Sequence, residues 1–467
     1  MRKLTLSLLL THVVVAAACL ARPPRAAGAR RAGVARAAWT VMLYMNGDND
    51  LDRFALADFE EMAKVRYGPR VNVVVQLDRI GGANTDESWG ETRRFLMREK
   101  LTPTRSNSLP GFSEESNMGD PATLTSFVTW ARASYPAERY MLVIWSHGDG
   151  WRRMLREGPS DESAAARARA GAEVDELLMR GQLTDSKLAS MNLLQTSLEP
   201  QYRTISEDET NGFDKLYVRE IQDALEGVFK GGDGLEVIGF DACLMQMIET
   251  AYAMRNVARV MVGSEELEPL PGWRYDDWLQ ALSDIPSMNG EEVGRAVVES
   301  YRKNYERVKP NTTLSAVKLS GDNMGRLATA VSALARELMA DLEAELPRIT
   351  QARESCFTFA PRRGYHGVDL HRFCSQLAAS GVNARLRARA EEVKALVDSM
   401  TVGNYAGPAR RAQFGSAGLA IYFPANNAAY QDDKFKKAYT DENEFQAVRF
   451  VREHLWDNFL HAYFKRV

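Results

Sequence analysis

Two residues in this 467-residue chain carry side chains able to do covalent chemistry at positions a fold can exploit. They are His147, in Ser146-His147-Gly148-Asp149-Gly150-Trp151, and Cys243, in Gly239-Phe240-Asp241-Ala242-Cys243-Leu244-Met245. Glycines beside His147 let the backbone turn sharply and approach a ligand closely. Cys243 precedes an apolar stretch that reads as a helix over 244–254, and a helix N-terminus favours the thiolate. Each residue alone has an ordinary explanation, a hydrogen-bonded loop histidine and a buried free cysteine. Together they would supply a nucleophile and a general acid–base.

The elements that must position them follow from apolar patterning. Short apolar runs at 39–45, 71–77, 140–146, 235–240 and 257–263 read as strands, with 92–97 as an edge ribbon. Helical spacing separates them at 50–65, 121–134, 214–228 and 244–254. Strands alternating with helices predict an α/β fold, a mainly parallel central sheet flanked by helices on both faces. Ligands in such sheets bind beyond the carboxyl ends of the strands. His147 directly follows one strand and Cys243 lies just past another, so both are expected at that edge. From 286 onward the pattern is mostly helical (291–308, 322–346, 385–400, 442–464), with strand-like runs at 314–319 and 418–423.

Composition sets the outer limits. With 45% hydrophobic and 26% charged residues the chain is globular, and a net charge of -3 argues against a general nucleic-acid partner. At the N-terminus Arg2 and Lys3 precede a mostly apolar run over 4–18 that ends in Ala16-Ala17-Ala18-Cys19. That pattern reads as an export signal, too short for the ~20 residues that span a bilayer. Cys19 after small residues also fits a bacterial lipoprotein site, which would attach the chain to a membrane through a lipidated Cys19. The organisation expected is a signal over 1–21, an Ala/Arg-rich linker over 22–38, a catalytic unit over 39–285 and a helical region over 286–467. An Ala/Arg/Glu-rich insertion over 152–204 interrupts the catalytic unit. Of the four cysteines, Cys356 and Cys374 are able to pair, which would leave Cys243 as a free thiol.

The motifs resemble the clostripain family of cysteine peptidases, in the clan of caspases, legumain and gingipains. The likeness extends over Tyr44-Met45-Asn46-Gly47-Asp48-Asn49-Asp50-Leu51, the His147 segment, Asp241-Ala242-Cys243-Leu244-Met245, Gly263-Ser264-Glu265-Glu266-Leu267-Glu268-Pro269 and Gly418-Leu419-Ala420-Ile421-Tyr422-Phe423-Pro424. It implies a caspase-like α/β sandwich and an exported endopeptidase acting on protein or peptide substrates. Cys243 and His147 would be its catalytic dyad, and the backbone N–H groups of Gly148 and Cys243 its oxyanion hole. It further implies cleavage after Arg or Lys, with Asp241 as the substrate-binding carboxylate. A capping role for Asp241 ahead of the 244–254 helix is the competing reading. Arg274, directly after Gly272-Trp273 where relatives place an acid, departs from the pattern and opens the question of P1 preference. Relatives mature by self-cleavage between the His and Cys segments, and the insertion here offers Arg152, Arg153, Arg156, Arg167, Arg169, Arg180 and Lys187. A solvated charged loop is the other reading of that tract.

No metal or other cofactor is expected for the chemistry. Asp48-Asn49-Asp50-Leu51-Asp52 has oxygen ligands at alternating positions and admits Ca²⁺, but it lacks the Gly and terminal Glu of an EF-hand loop. An acidic cluster at a helix N-terminus accounts for it more simply. His366, Asp369 and His371 have spacing too loose to argue for a metal. The rival functions are a catalytically inactive surface-anchored binding protein on the same fold, and a dyad protease or transpeptidase with non-basic P1 preference.

Overall fold

The computed structural model describes residues 36–82, 84–151, 205–230, 234–309, 311–361, 364–409, 415–433, 435–439 and 448–467. The expected export signal, Cys19 and the insertion over 152–204 lie outside them. Residues Ala37–Val467 form one compact unit.

Its frame is a nine-stranded sheet in the order β12-β10-β9-β8-β5-β1-β2-β3-β4. In chain order the strands are β1 (Ala37–Gly47), β2 (Val71–Arg79), β3 (Thr92–Leu96), β4 (Ser113–Glu114), β5 (Ala137–Trp145), β6 (Ile205–Asp208), β7 (Asp214–Leu216), β8 (Leu235–Asp241), β9 (Ala258–Gly263), β10 (Thr313–Lys318), β11 (Gly367–Asp369), β12 (Thr401–Ala406) and β13 (Ala420–Tyr422). The five central strands are parallel, and antiparallel strands extend both edges. β6–β7 and β11–β13 make two small ribbons.

Both faces of the sheet are covered, which is what near-continuous apolar strands require. Alternation along β1 sends Met42 and Tyr44 into one core, shared with Leu142, Ile144, Ile238 and Phe240. Val41, Leu43 and Met45 enter the other, under Phe54 and Phe59 of helix Asp52–Met62 and Val293, Val297 and Tyr301 of helix Gly290–Tyr305. The region after 286 is not a separate body, because β10 and β12 extend the same sheet through β9.

The register fixes the working edge. Tyr44 pairs with Ile144, Met45 with Trp145, and Trp145 with Asp241, so β1, β5 and β8 end together. β1 has β2 on one side and β5 on the other, so the chain reverses its direction of travel across the sheet at β1/β5. Crevices open at such switch points.

Several elements differ from the sequence-based expectation. Helix 214–228 is instead strand β7 followed by helix Val218–Val228. Helix 322–346 is two helices, Asn323–Ala340 and Leu342–Glu354. β12 was not expected at all. In its Thr401-Val-Gly-Asn-Tyr-Ala406 sequence Gly403 and Asn404 interrupt the strand formers, and pairing with β10 supplies the reason it extends.

Candidate active site

His147 and Cys243 stand out by exposure. Every residue from 141 to 150 is buried except His147, and every residue from 241 to 250 is buried except Cys243. The two segments run side by side at the carboxyl ends of β5 and β8, joined where the Ser146 N–H donates to the Asp241 carbonyl at 3.4 Å. One residue on, the backbones touch. A Cβ placed on Gly148 would lie 2.3 Å from the Cys243 carbonyl oxygen and 2.8 Å from its nitrogen. Only glycine permits that approach, and it sets the histidine loop against the cysteine.

His147 has a carboxylate partner that sequence reasoning did not find. Its Nε2 lies 2.7 Å from Oδ1 of Asp50, with the two side chains 11% and 18% exposed. A carboxylate only accepts, so Nε2 carries the hydrogen, and the neutral ring keeps its lone pair on Nδ1. Asp50 is held by the loop after β1. Asn49 is buried there and donates from Nδ2 to the carbonyls of Asn46 (3.2 Å) and Glu207 (2.8 Å), while its Oδ1 accepts from Leu51 N–H at 2.9 Å.

The acidic run is divided among three tasks. Asp50 meets His147, Asp52 takes a bidentate pair with Arg79 at 2.8 and 2.9 Å, and Asp48 accepts from the N–H and hydroxyl of Thr210. The helix begins at Asp52, with no side chain capping it. Each carboxylate of the run thus has its own partner, and Asp52 alone lies in the first turn of the helix.

Cys243 sits in a turn, not at a helix start. The helix after it spans Ile248–Met254, four residues later than expected. Leu244 takes φ +65, which breaks helical geometry, and Gln246 N–H donates to the Ser264 carbonyl instead. The helix-dipole argument for the thiolate accordingly falls. In its place the backbone N–H of Glu268 donates to Sγ at 3.2 Å, a contact that stabilises negative sulfur. Leu244 N–H to the Glu266 carbonyl ties the same turn to the Gly263–Pro269 segment at 3.2 Å.

Cys356 and Cys374 are free, buried thiols rather than a disulfide. Burial pushes Cys356 up to about 12 and holds Cys374 well above its ordinary value, so both stay protonated and inert.

Asp241 ends β8 beneath the cysteine. It does not cap the following helix. Its Oδ2 accepts from Tyr275 hydroxyl at 2.8 Å and from Trp273 N–H at 3.2 Å. Gly272, at φ +56, leaves room over this carboxylate, since a Cβ there would meet both of its oxygens at 2.9 Å. Glu268 brings a second buried carboxyl to Asp241 and near Cys243. Burial holds both carboxyls above their usual range, and mutual repulsion adds to this at Glu268. Arg274 does not neutralise them. It pairs with Asp276 at 2.6 Å and Glu61 at 3.4 Å. Among the described residues neither carboxyl has a cationic partner, and the two buried acids face each other.

His366, Asp369 and His371 do not assemble. Asp369 caps helix Leu370–Ala379 by accepting from Arg372 N–H, and His371 pairs with Asp398 at 3.2 Å.

A parallel α/β sandwich with a cysteine past one central strand and a histidine past its neighbour has the architecture of the caspase-like cysteine peptidases. Within that class the chain belongs to the clostripain family (peptidase C11), whose profile matches residues 43–162 and 192–463. Clostripain of Hathewaya histolytica is 27% identical over 271 residues, covering 54% of this chain and 44% of that protein. The match thus spans less than half of that relative's length. Two solved structures share the fold. A secreted C11 cysteine protease from Bacteroides thetaiotaomicron, in complex with an irreversible peptide inhibitor, gives a TM-score of 0.58 at 18% identity, covering 91% of this chain and 99% of that one. An inactive zymogen C11 protease from Parabacteroides distasonis gives 0.53 at 19% identity, covering 86% and 98%.

Proposed function

We propose that this protein is a cysteine endopeptidase that cleaves after Arg or Lys through a Cys243–His147 pair. The observation that carries the reading is the contact of Gly148 with the Cys243 backbone, which places the His147 loop beside the thiol. Family membership and the Asp50–His147 pair support it.

In this mechanism the Cys243 thiolate attacks the scissile carbonyl, and the N–H groups of Gly148 and Cys243 receive the developing oxyanion. Donors of that kind are worth roughly 3–4 kcal/mol each. His147, oriented by Asp50, takes the Cys243 thiol proton on Nδ1 as the thiolate forms and delivers it to the departing amine. It then takes a proton from the water that hydrolyses the thioester, which regenerates the thiol. Asp241 and Glu268 offer the P1 side chain a buried acidic floor, and a guanidinium or ammonium would compensate the charge that burial penalises there.

Export and self-processing belong to the same reading. The basic, apolar and small-residue order of the first 19 residues supports export, with Cys19 as the residue that would take a lipid. Among the described residues no helix is long and apolar enough to cross a membrane. Seven Arg and Lys positions between 152 and 187 offer cleavage sites of the proposed specificity. Intact mass of active enzyme checks this, since a single uncut chain would reject processing.

The decisive experiment compares hydrolysis of fluorogenic peptides ending in Arg, Lys, Asp or Asn by the native chain and by Cys243→Ala. Turnover of Arg and Lys peptides that vanishes in the variant supports the reading. Turnover of only Asp or Asn peptides would keep the nucleophile and discard the basic pocket. No turnover, before or after limited trypsin treatment, would favour an inactive binding protein.

A further inference from the structure

Trp151 closes the histidine loop, four residues beyond His147 and directly ahead of the 152–204 insertion. It takes no part in the chemistry above, yet its side chain is only 3% exposed. The indole meets two tyrosines from the far end of the chain. Its ring centroid lies 5.1 Å from that of Tyr422 and 4.8 Å from that of Tyr439, both in edge-on contact. The two tyrosines are themselves 4.4 Å apart. Edge-on aromatic contacts are directional as well as apolar, so this arrangement sets where the indole sits.

The walls of the socket are held by their own bonds. Tyr422 lies in β13 and donates from its hydroxyl to Asp433 at 2.7 Å. Tyr439 ends helix Lys436–Tyr439 and donates to Glu249 at 2.7 Å. Glu249 also accepts from the Tyr422 N–H at 3.0 Å, so one carboxyl joins both walls.

The same strand carries the cysteine side of the site. Ala420 of β13 donates its N–H to the Gln246 carbonyl at 3.0 Å and bridges to Met247, in the turn that follows Cys243. Two positions further along β13, Tyr422 receives Trp151. Between these points the loops press together. Gly150 takes φ +64, and a Cβ there would lie 2.9 Å from Met247 Sδ and 3.1 Å from the Leu244 carbonyl oxygen. β13 belongs to the small ribbon with β11, apart from the main sheet. It therefore gives both loops a common reference that the ends of β5 and β8 do not supply.

We propose that Trp151 is a positioning residue, which holds His147 against Cys243 by seating the histidine loop in the Tyr422–Tyr439 socket. The loop is then fixed at both ends, by β5 before His147 and by the indole after it. The anchor lies ahead of every Arg and Lys in the 152–187 tract, so a cut at any of them leaves it attached to His147. The catalytic consequence rests on the Cys243–His147 reading, whereas the anchoring itself does not.

One arm of the test needs no activity. In the full chain carrying Cys243→Ala, Trp151→Leu and Tyr439→Leu should each speed amide hydrogen exchange over 146–150 by about tenfold or more, with β1 still protected. The other arm reads Arg-peptide turnover in chains that keep Cys243, matched for processing by intact mass. Each Leu variant should lower kcat on the order of 10²-fold with KM within about twofold of native. The double variant should lose no more than the worse single, because both remove one contact. Trp151→Phe keeps an aromatic ring in the socket and should recover kcat to within about fivefold of native. Should Trp151→Leu fail to fold, Tyr439→Leu and Trp151→Phe carry the same comparison. Exchange at the parent rate in the Leu variants would overturn the proposal. So would losses that multiply in the double variant or that fall on KM alone. Faster exchange in a chain whose native form cleaves no peptide would support the anchor and reject the catalytic reading.

Discussion

Oδ1 of Asp50 lies 2.7 Å from Nε2 of His147, across 97 residues of sequence. The pair fixes which ring nitrogen bears the hydrogen, and therefore which one is basic. In the proposed mechanism it adds an orienting carboxylate to the Cys243–His147 pair, the logic that positioned acid–base histidines share.

Asp50→Asn separates orientation from folding. An amide presents N–H to the ring as readily as C=O, so the hydrogen is free to move to Nδ1 and the basic nitrogen is lost. The expected outcome is a kcat reduced on the order of 10²-fold or more, with KM for an Arg peptide little changed. The acid limb of the pH–rate profile should also shift, which loss of a purely structural contact would not produce. An unchanged kcat and profile would remove Asp50 from the mechanism.

Gly148→Ala tests the contact that joins the two loops. The new Cβ would sit 2.3 Å from backbone oxygen of Cys243, and backbone on both sides must yield. Alkylation of Cys243 by iodoacetamide should persist, because the thiol remains. Peptide turnover should fall at least tenfold, since a displacement of about 1 Å in a reacting geometry costs up to ~10²-fold. Turnover at the native rate would show that the loops need not touch.

Why the placement of His147 and Cys243 at one sheet edge was legible in the sequence while the partner of His147 was not has a physical answer. His147 and Cys243 each follow directly on a strand whose apolar run is unmistakable, and strand ends of one parallel sheet share an edge. Asp48, Asp50 and Asp52 are alternate acids in one loop, and nothing local distinguishes them. The register of β1 against β5, together with the bonds of Asn49 to Asn46 and Glu207, decides which one meets the histidine. Leu244 to Met247 misled in the opposite direction. Their apolar spacing continues the helix pattern, yet Gln246 bonds to Ser264 and Met247 bridges to Ala420, so tertiary pairing overrides propensity.

Glu249 predicts a pH dependence of stability away from the active site. Burial raises its carboxyl from 4.5 to about 7, despite donors from Tyr422 N–H and Tyr439 hydroxyl. A raised carboxyl means that the folded state holds its proton more tightly than the unfolded state. The favourable contribution is complete below pH 4.5 and is lost as pH rises through about 7. Glu249→Gln should therefore gain stability relative to the native chain over that window, by about 3 kcal/mol at most. Urea titrations of both chains at pH 4.5 and pH 8 measure it. A difference that does not grow with pH would show that Glu249 titrates normally.

The acidic floor makes the sharpest prediction about specificity. Asp241 keeps one oxygen bonded to Tyr275 and Trp273, while Glu268 is held beside it with its carboxyl buried. Arg274, the residue that put basic specificity in question, is occupied by Asp276 and Glu61 and makes no ion pair with Asp241. Asp241→Asn should lower kcat/KM for Arg peptides about 10- to 100-fold, the worth of one charge-assisted hydrogen bond of ~1.5–3 kcal/mol. Citrulline peptides, neutral but nearly the same shape, should lose far less. Arg274→Ala, by contrast, should leave Arg preference in place. If Arg274→Ala instead raised Arg turnover strongly and Asp241→Asn did nothing, the cation at 274 would be guarding the pocket, and the P1 carboxylate would lie elsewhere.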